Sequence, residues 1–305
     1  PSLPFVIYAM MANVSVGALF LAGILPGVLM ALLMMVTVAY FAHKHGWGGD
    51  VKFSRTRFGG ALIELAIVIA WPLITWALVA KLGLPAQPVV FGAIVSIFVL
   101  DRIFRFQAVL PIMTPVLLIG GMTTGLFTPT EGAIAASAWA LFLGLVWYRT
   151  MTLKQFVKVS LDTVETTATV MFIVAAASIF GWMLTATGVT AAIAAWVLEF
   201  TKEPWVFLLL ANALMLFVGC FLEPTAAITI LVPILLPIVR QLGIDPVHFG
   251  LIMVLNLMIG LLHPPMGLVL FVLARVAKLS IERTTMAILP WLIPLLVSLG
   301  LVTYV

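Results

Sequence analysis

Cys220-Phe-Leu-Glu-Pro-Thr225 and Gly260-Leu-Leu-His-Pro-Pro-Met-Gly267 each interrupt a hydrophobic run within the stretch from Pro204 to Lys278. Between them a second apolar arm carries Pro233 and Pro237 as far as Arg240. A polar corner follows, Gly243-Ile-Asp-Pro-Val-His-Phe-Gly250. The arms 225–240 and 247–262 are each about 16 residues, roughly 24 Å of helix. A comfortable membrane span needs about 20 residues. Short apolar segments broken at mid-depth are the pattern of re-entrant hairpins and discontinuous helices. Lipid tolerates freed backbone at such breaks only where protein or a water-filled cavity satisfies it. The stretch reads as a transport site.

Working outward, composition places the whole chain in a bilayer. Of 305 residues, 64% are hydrophobic and 9% charged, with a mean hydropathy of +1.27. A soluble domain carries roughly 25% charged residues. The single cysteine, Cys220, excludes an internal disulfide and a cysteine metal cage. A pI near 9.4 could suggest nucleic acid. The basic residues, however, sit in short loops between apolar runs, so they report topology and no nucleic-acid partner is expected. The opening Pro-Ser-Leu-Pro carries no basic n-region of a cleavable signal.

In chain order, residues 1–11 are too short to span. Residues 13–41 form a span with Pro26-Gly27 inside and a short lead-in helix. Residues 43–57 are a basic loop, and 59–80 and 88–100 are two further spans. Residues 108–127 cross and end at Thr128-Pro-Thr-Glu131. There Thr128 as N-cap, Pro129 at N1 and Glu131 at N3 make a capping box that starts the return, 132–148. Residues 149–165 read as an amphipathic surface segment, 166–187 as a span, 189–203 as a surface piece and 286–302 as the last span. Five parts follow: 1–42, the end of a first repeat; 43–107, the basic loop and two extra spans; 108–203, linking spans and scaffold; 204–279, the transport core; and 280–305, the last span. The fold class is all-α, polytopic and membrane-embedded.

Charge tests this topology. If 204–240 is a hairpin returning to its own side, twelve of the fifteen Lys and Arg residues fall on the side of the 43–57 loop. Only Lys81, Lys202 and Arg240 then lie opposite, which is a strong positive-inside bias. A single span over 205–240 would reduce that to nine against six. Pro1-Ser-Leu-Pro-Phe-Val-Ile-Tyr8 also resembles Pro265-Met-Gly-Leu-Val-Leu-Phe-Val272, a proline break before an apolar run. Two such broken helices of opposite polarity are what an inverted-repeat transporter shows.

Gly120-Gly-Met-Thr-Thr-Gly-Leu-Phe-Thr-Pro-Thr-Glu131, Gly243 to Gly250 and Gly260 to Gly267, in that order, resemble the large membrane subunit of the tripartite ATP-independent periplasmic (TRAP) transporters. Pro1-Ser2 and Val14 to Gly27 resemble the end of that family's first half. The resemblance covers nearly the whole chain except about 59–104. It implies a sodium-coupled importer of organic acids, C4-dicarboxylates or sugar acids, in the bacterial inner membrane. It implies an elevator mechanism, re-entrant hairpins, a periplasmic solute-binding protein that delivers substrate, and a small membrane subunit. No cofactor beyond the coupling ion is implied. The family's first-half hairpin would precede Pro1, so residues 1–305 are expected to be the later part of a longer subunit that does not transport alone. His263 stands where a threonine is usual.

Candidate substrate contacts are Ser2, Glu223, Pro224, Thr225, His263 and Pro265. Glu223 is either a plain helix cap or a carboxylate with a cation, cavity or helix-dipole partner, since an unpartnered one at mid-depth costs ~2.5–3.5 kcal/mol. The helix start at Thr225 would offer N–H groups to a substrate carboxylate. Candidate sodium ligands come from Gly219, Cys220, Gly260, His263, Pro264 and Met266. Pro264 and Pro265 have no N–H, so carbonyls about one turn earlier lose their helical partners. His263 is either proton-linked or a neutral ring bonded to a nearby carbonyl. His248 is expected to be solvated, and Asn212 and Asn256 to be interhelical hydrogen-bond partners. Trp147, Tyr148, Trp196 and Trp205 are expected at the lipid interface.

Rival readings are a stand-alone carboxylate carrier, a passive scaffold subunit, and an intramembrane enzyme using His263 with Glu223, or Ser178 with Asp162. No HExxH or GxSxG motif supports the enzyme.

Overall fold

A computed structural model describes residues 2–46, 54–81, 83, 92, 96–99, 109–123 and 127–305. Among these residues there is helix and no strand. The helices are α1 (Leu3–Ala12), α2 (Val16–Ala22), α3 (Ile24–His45), α4 (Arg55–Ala80), α5 (Val109–Thr123), α6 (Pro129–Phe142), α7 (Leu153–Ala186), α8 (Val189–Phe200), α9 (Pro204–Gly219), α10 (Pro224–Gln241), α11 (Pro246–Gly260), α12 (Leu268–Ala277) and α13 (Ile281–Tyr304). A π-helical turn, Leu143–Trp147, extends α6. Among the described residues five segments are long and apolar enough to cross a membrane: Val16–His45, Pro129–Trp147, Leu153–Leu184, Pro224–Gln241 and Ile281–Tyr304. The protein is an all-α, multi-pass membrane protein.

The chain divides into two compact units, residues 1–47 with 160–305, and residues 48–159. The expected segments 1–42, 204–279 and 280–305 therefore fall in one unit, while 108–203 is shared between the two. In the smaller unit Phe98 lies 4.7 Å from Trp147 and 5.3 Å from Trp139. The Trp139 indole donates to the Leu110 carbonyl (3.1 Å). Trp147 thus packs on its own unit, whereas Trp196 and Trp205 are exposed. The expected second extra span, 88–100, lies largely outside the described residues.

Several boundaries differ from the sequence reading for physical reasons. Residues 149–165 and 166–187 are not two elements. From Leu153 to Phe180 there is no glycine or proline to stop a helix, and α7 runs through both. The polar segment ahead of the last span is that helix's first turn, with the Ser280 hydroxyl accepting from Arg283 N–H. In 13–41 the break falls at Gly23, and Pro26 sits harmlessly in the first turn of α3.

The internal repeat is far stronger in the backbone than in the letters. Helices α1 and α12 each have 10 residues and end on a left-handed residue, Asn13 and Lys278, both with φ near 54°. Two residues later a serine caps the next helix, Ser15 onto Ala18 N–H and Ser280 onto Arg283 N–H. Val14 N–H reaches Ala9 O, and Leu279 N–H reaches Ala274 O. Every pair keeps the same offset in sequence. In the apolar segments that follow, Val16–His45 and Ile281–Tyr304, helices α3 and α13 pack against each other.

Packing fixes the course of the 204–260 region. Asn212 meets Asn256, Gly219 meets Gly260 and Cys220 meets His263, so α9 and α11 run parallel, side by side. Helix α10 joins the end of α9 to the start of α11 and must run antiparallel to both. A single span over 205–240 is thereby excluded. At 16 and 15 residues, α9 and α11 are ~22–24 Å long, short of a ~30 Å hydrocarbon core, while α10 with 18 residues is at the lower limit of a span. The unit's core lies around them. Met215, Ile228, Ile238, Phe249, Ile252 and Leu257 are fully buried. Helix α1 docks onto this core through Tyr8, whose hydroxyl donates to Pro246 O (2.6 Å). Arg240 donates to Ala12 O (3.0 Å), satisfying the C-terminal end of α1.

Candidate functional site

The tip of the α9–α10 hairpin, Cys220 to Glu223, rests against the break between α11 and α12. A Cβ on Gly260 would lie 2.7 Å from the Gly219 Cα. The two backbones therefore touch, and only glycine fits. From Gly260 the chain turns tightly. His263 N–H donates to Gly260 O (3.0 Å), Gly267 N–H to His263 O (3.2 Å) and Val269 N–H to Leu261 O (3.2 Å). The peptide between Pro264 and Pro265 is cis. A Cβ on Gly267 would run into Leu261 O, so that glycine closes the turn.

The backbone around the expected sodium ligands is already partly engaged. The carbonyls of Gly260, Leu261 and His263 are released from the helix ladder, yet each already accepts a bond within the turn. They offer a cation only their second lone pairs. The hairpin and the break do come together as expected, through Gly219, Cys220, Gly260, His263 and Pro264. Met266 is half exposed on the rim.

Cys220 is the centre of the contact. Its Sγ lies 3.2 Å from Leu216 O, 3.4 Å from His263 Nδ1 and 3.5 Å from Pro264 O. The His263 Nδ1 lies 2.6 Å from Pro264 O. A carbonyl oxygen can only accept, so Nδ1 carries the hydrogen here. The carbonyl contact expected of His263 is present, through Pro264 O.

Glu223 occupies both of its oxygens locally. Its Oε2 accepts from Ala226 N–H (3.2 Å) and its Oε1 from the Thr225 hydroxyl (2.7 Å). It is the N-cap of α10, with Pro224 at N1. Of the N–H groups expected to face a substrate carboxylate, that of Ala226 is held by the chain's own carboxylate. Ser2 caps α1 without a side-chain bond, and its hydroxyl is buried with no partner. No hydrogen bond among the described residues joins Ser2 or Pro265 to the other candidates.

Elsewhere, Thr128 and Glu131 form the expected capping box. Asn256 donates to the Asn212 side chain (2.7 Å) and backbone (3.0 Å), and Asn212 donates to Thr303 (3.2 Å). Three helices are thus bonded together, as expected of these asparagines. His248 is not simply solvated: its Nε2 meets Val302 O at 2.7 Å, tying α11 to the end of α13. The sequence reading missed Tyr8, because a tyrosine in an apolar run looks like packing until its partner is seen.

The enzyme alternative finds no support in this geometry. Ser178 donates to Val174 O (2.8 Å), and Asp162 lies on the same helix, 16 residues or ~24 Å away. His263 and Glu223 are each bonded to other groups.

Residues 1–305 match the family described as "Tripartite ATP-independent periplasmic transporter, DctM component". The sialic acid TRAP transporter large permease protein SiaM of Vibrio cholerae is 38% identical over 302 residues, 99% of this chain and 61% of that protein. The C4-dicarboxylate TRAP transporter large permease protein DctM of Pseudomonas aeruginosa is 38% identical over 305 residues, 100% of this chain and 61% of that protein. The isethionate TRAP transporter permease protein DctMQ of Oleidesulfovibrio alaskensis is 36% identical over 306 residues, covering 41% of its length. The chain spans about three-fifths of the length of the first two. These relatives are named as permeases, in keeping with a hairpin packed on a broken helix: the chain belongs to the DctM family of TRAP transporter large permeases.

Proposed function

We propose that this chain forms the transport core of a sodium-coupled permease that imports organic acids across a bacterial inner membrane. The observation that carries the reading is the meeting of the α9–α10 tip with the Gly260–Gly267 break. Two interrupted elements touch backbone to backbone there, at the place where ion and substrate sites of inverted-repeat transporters lie. Sodium takes oxygen ligands, and the turn supplies carbonyl oxygens beside the hairpin tip. The relatives' named substrates, sialic acid, C4-dicarboxylates and isethionate, are all organic anions. That range supports the class of cargo and leaves the particular acid to be found. A periplasmic solute-binding protein would deliver it, and a small membrane subunit would brace the scaffold against which the core moves as an elevator.

The test is uptake of labelled organic acids into proteoliposomes holding the permease with its small subunit. Uptake should require both an inward sodium gradient and the binding protein. Equal uptake without sodium would refute the coupling. Equal uptake without the binding protein would favour a stand-alone carrier.

A further inference from the structure

We propose that Cys220, His263 and the Pro264 carbonyl form a capture site for a d10 transition-metal cation of the Zn2+ class. The family resemblance supplies no such site, because it places a threonine where His263 stands. The inference rests on the geometry of three donor atoms and does not depend on the permease reading.

Sulfur, nitrogen and oxygen are brought together from two separate elements. Their edges are 3.4 Å for Sγ to Nδ1, 3.5 Å for Sγ to Pro264 O and 2.6 Å for Nδ1 to Pro264 O. Bond lengths of ~2.3 Å to sulfur and ~2.0–2.2 Å to nitrogen and oxygen, at tetrahedral angles, require edges of ~3.5, ~3.6 and ~3.4 Å. Both edges from the sulfur already fit. The third is a hydrogen bond and opens by ~0.8 Å once a metal takes the place of its proton.

The proton balance is simple. The thiol loses its proton to solvent on coordination, and the imidazole moves its hydrogen from Nδ1 to Nε2 so that the Nδ1 lone pair faces the metal. Water fills the fourth position, as in other three-ligand zinc sites. Cys220 itself is 2% exposed, but Phe221, Glu223, Pro265 and Met266 on the rim are exposed. Among the described residues there is no cluster of three His, Cys, Asp or Glu side chains. The set is two side chains and a carbonyl, so binding is reversible. Once bound, the ion joins the hairpin tip to the break.

Cobalt(II) is the optical probe, because only a cysteine ligand gives a thiolate-to-cobalt charge-transfer band. The histidines His43, His45 and His248 cannot produce it. Titrating Co2+ into the intact chain in detergent should give that band, saturating at one equivalent and abolished by excess Zn2+. Cys220→Ser should remove it, and His263→Thr, which takes away a direct ligand, should weaken binding by at least the ~10- to 100-fold that losing a mere orienting partner costs. Absence of the band in the unaltered chain overturns the proposal, whatever the variants do. So does a His263→Thr titration that superimposes on the native one, which would leave a bare thiol as the only ligand.

Discussion

Gly219 and Gly260 touch through their backbones: a Cβ added to Gly260 would lie 2.7 Å from the Gly219 Cα, whereas one added to Gly219 would stand 3.2 Å from the Gly260 Cα. The asymmetry makes a prediction. Gly260→Ala forces α9 and α11 apart and should lower stability by ~1–3 kcal/mol, the usual cost of overpacking. Gly219→Ala should cost visibly less. Unfolding in mixed micelles with increasing SDS compares the two directly; a Gly260→Ala variant as stable as the native chain would show that the helices are not in contact at that level, and equal losses would contradict the asymmetry.

The Asn212–Asn256 pair should behave as coupled residues. A double-mutant cycle to alanine should give an interaction energy of ~0.6 kcal/mol and no more than ~1.7 kcal/mol, the range for hydrogen bonds between membrane helices. Strict additivity would mean that the Asn256 amide finds another partner when Asn212 is lost.

Much of this arrangement was legible in the sequence, because proline and glycine act locally. Pro224 after Glu223, Pro246 after Asp245 and Pro129 after Thr128 each mark a helix start that the structure places at that residue. The two glycines of the contact were visible as breaks. What could not be read was where side chains point across the chain. Tyr8 reaching Pro246 and Arg240 reaching Ala12 span more than two hundred residues each. The repeat was also faint in the letters, since a left-handed turn can be made by asparagine or by lysine while the backbone stays the same.

Topology follows from the charge bias and the returning hairpin. In a Cys220→Ser background, a cysteine at Gln241 should react with an impermeant thiol reagent added outside spheroplasts. A cysteine at Glu282 should react only after the membrane is opened. Both positions are exposed and cap no helix. Labelling of the Glu282 position in closed cells would reverse the topology.

The central claim is that the Gly260–Gly267 turn, held open against the hairpin, binds the coupling ion. Replacing Pro264 and Pro265 together by alanine restores two N–H groups and lets the helix ladder reclaim the carbonyls. The measurement is the sodium dependence of uptake by the complete transporter, native against double variant, at saturating binding protein. The account predicts a sodium requirement shifted about 10-fold higher, equivalent to ~1.4 kcal/mol of lost ion binding. A sodium curve unchanged in the double variant would contradict it.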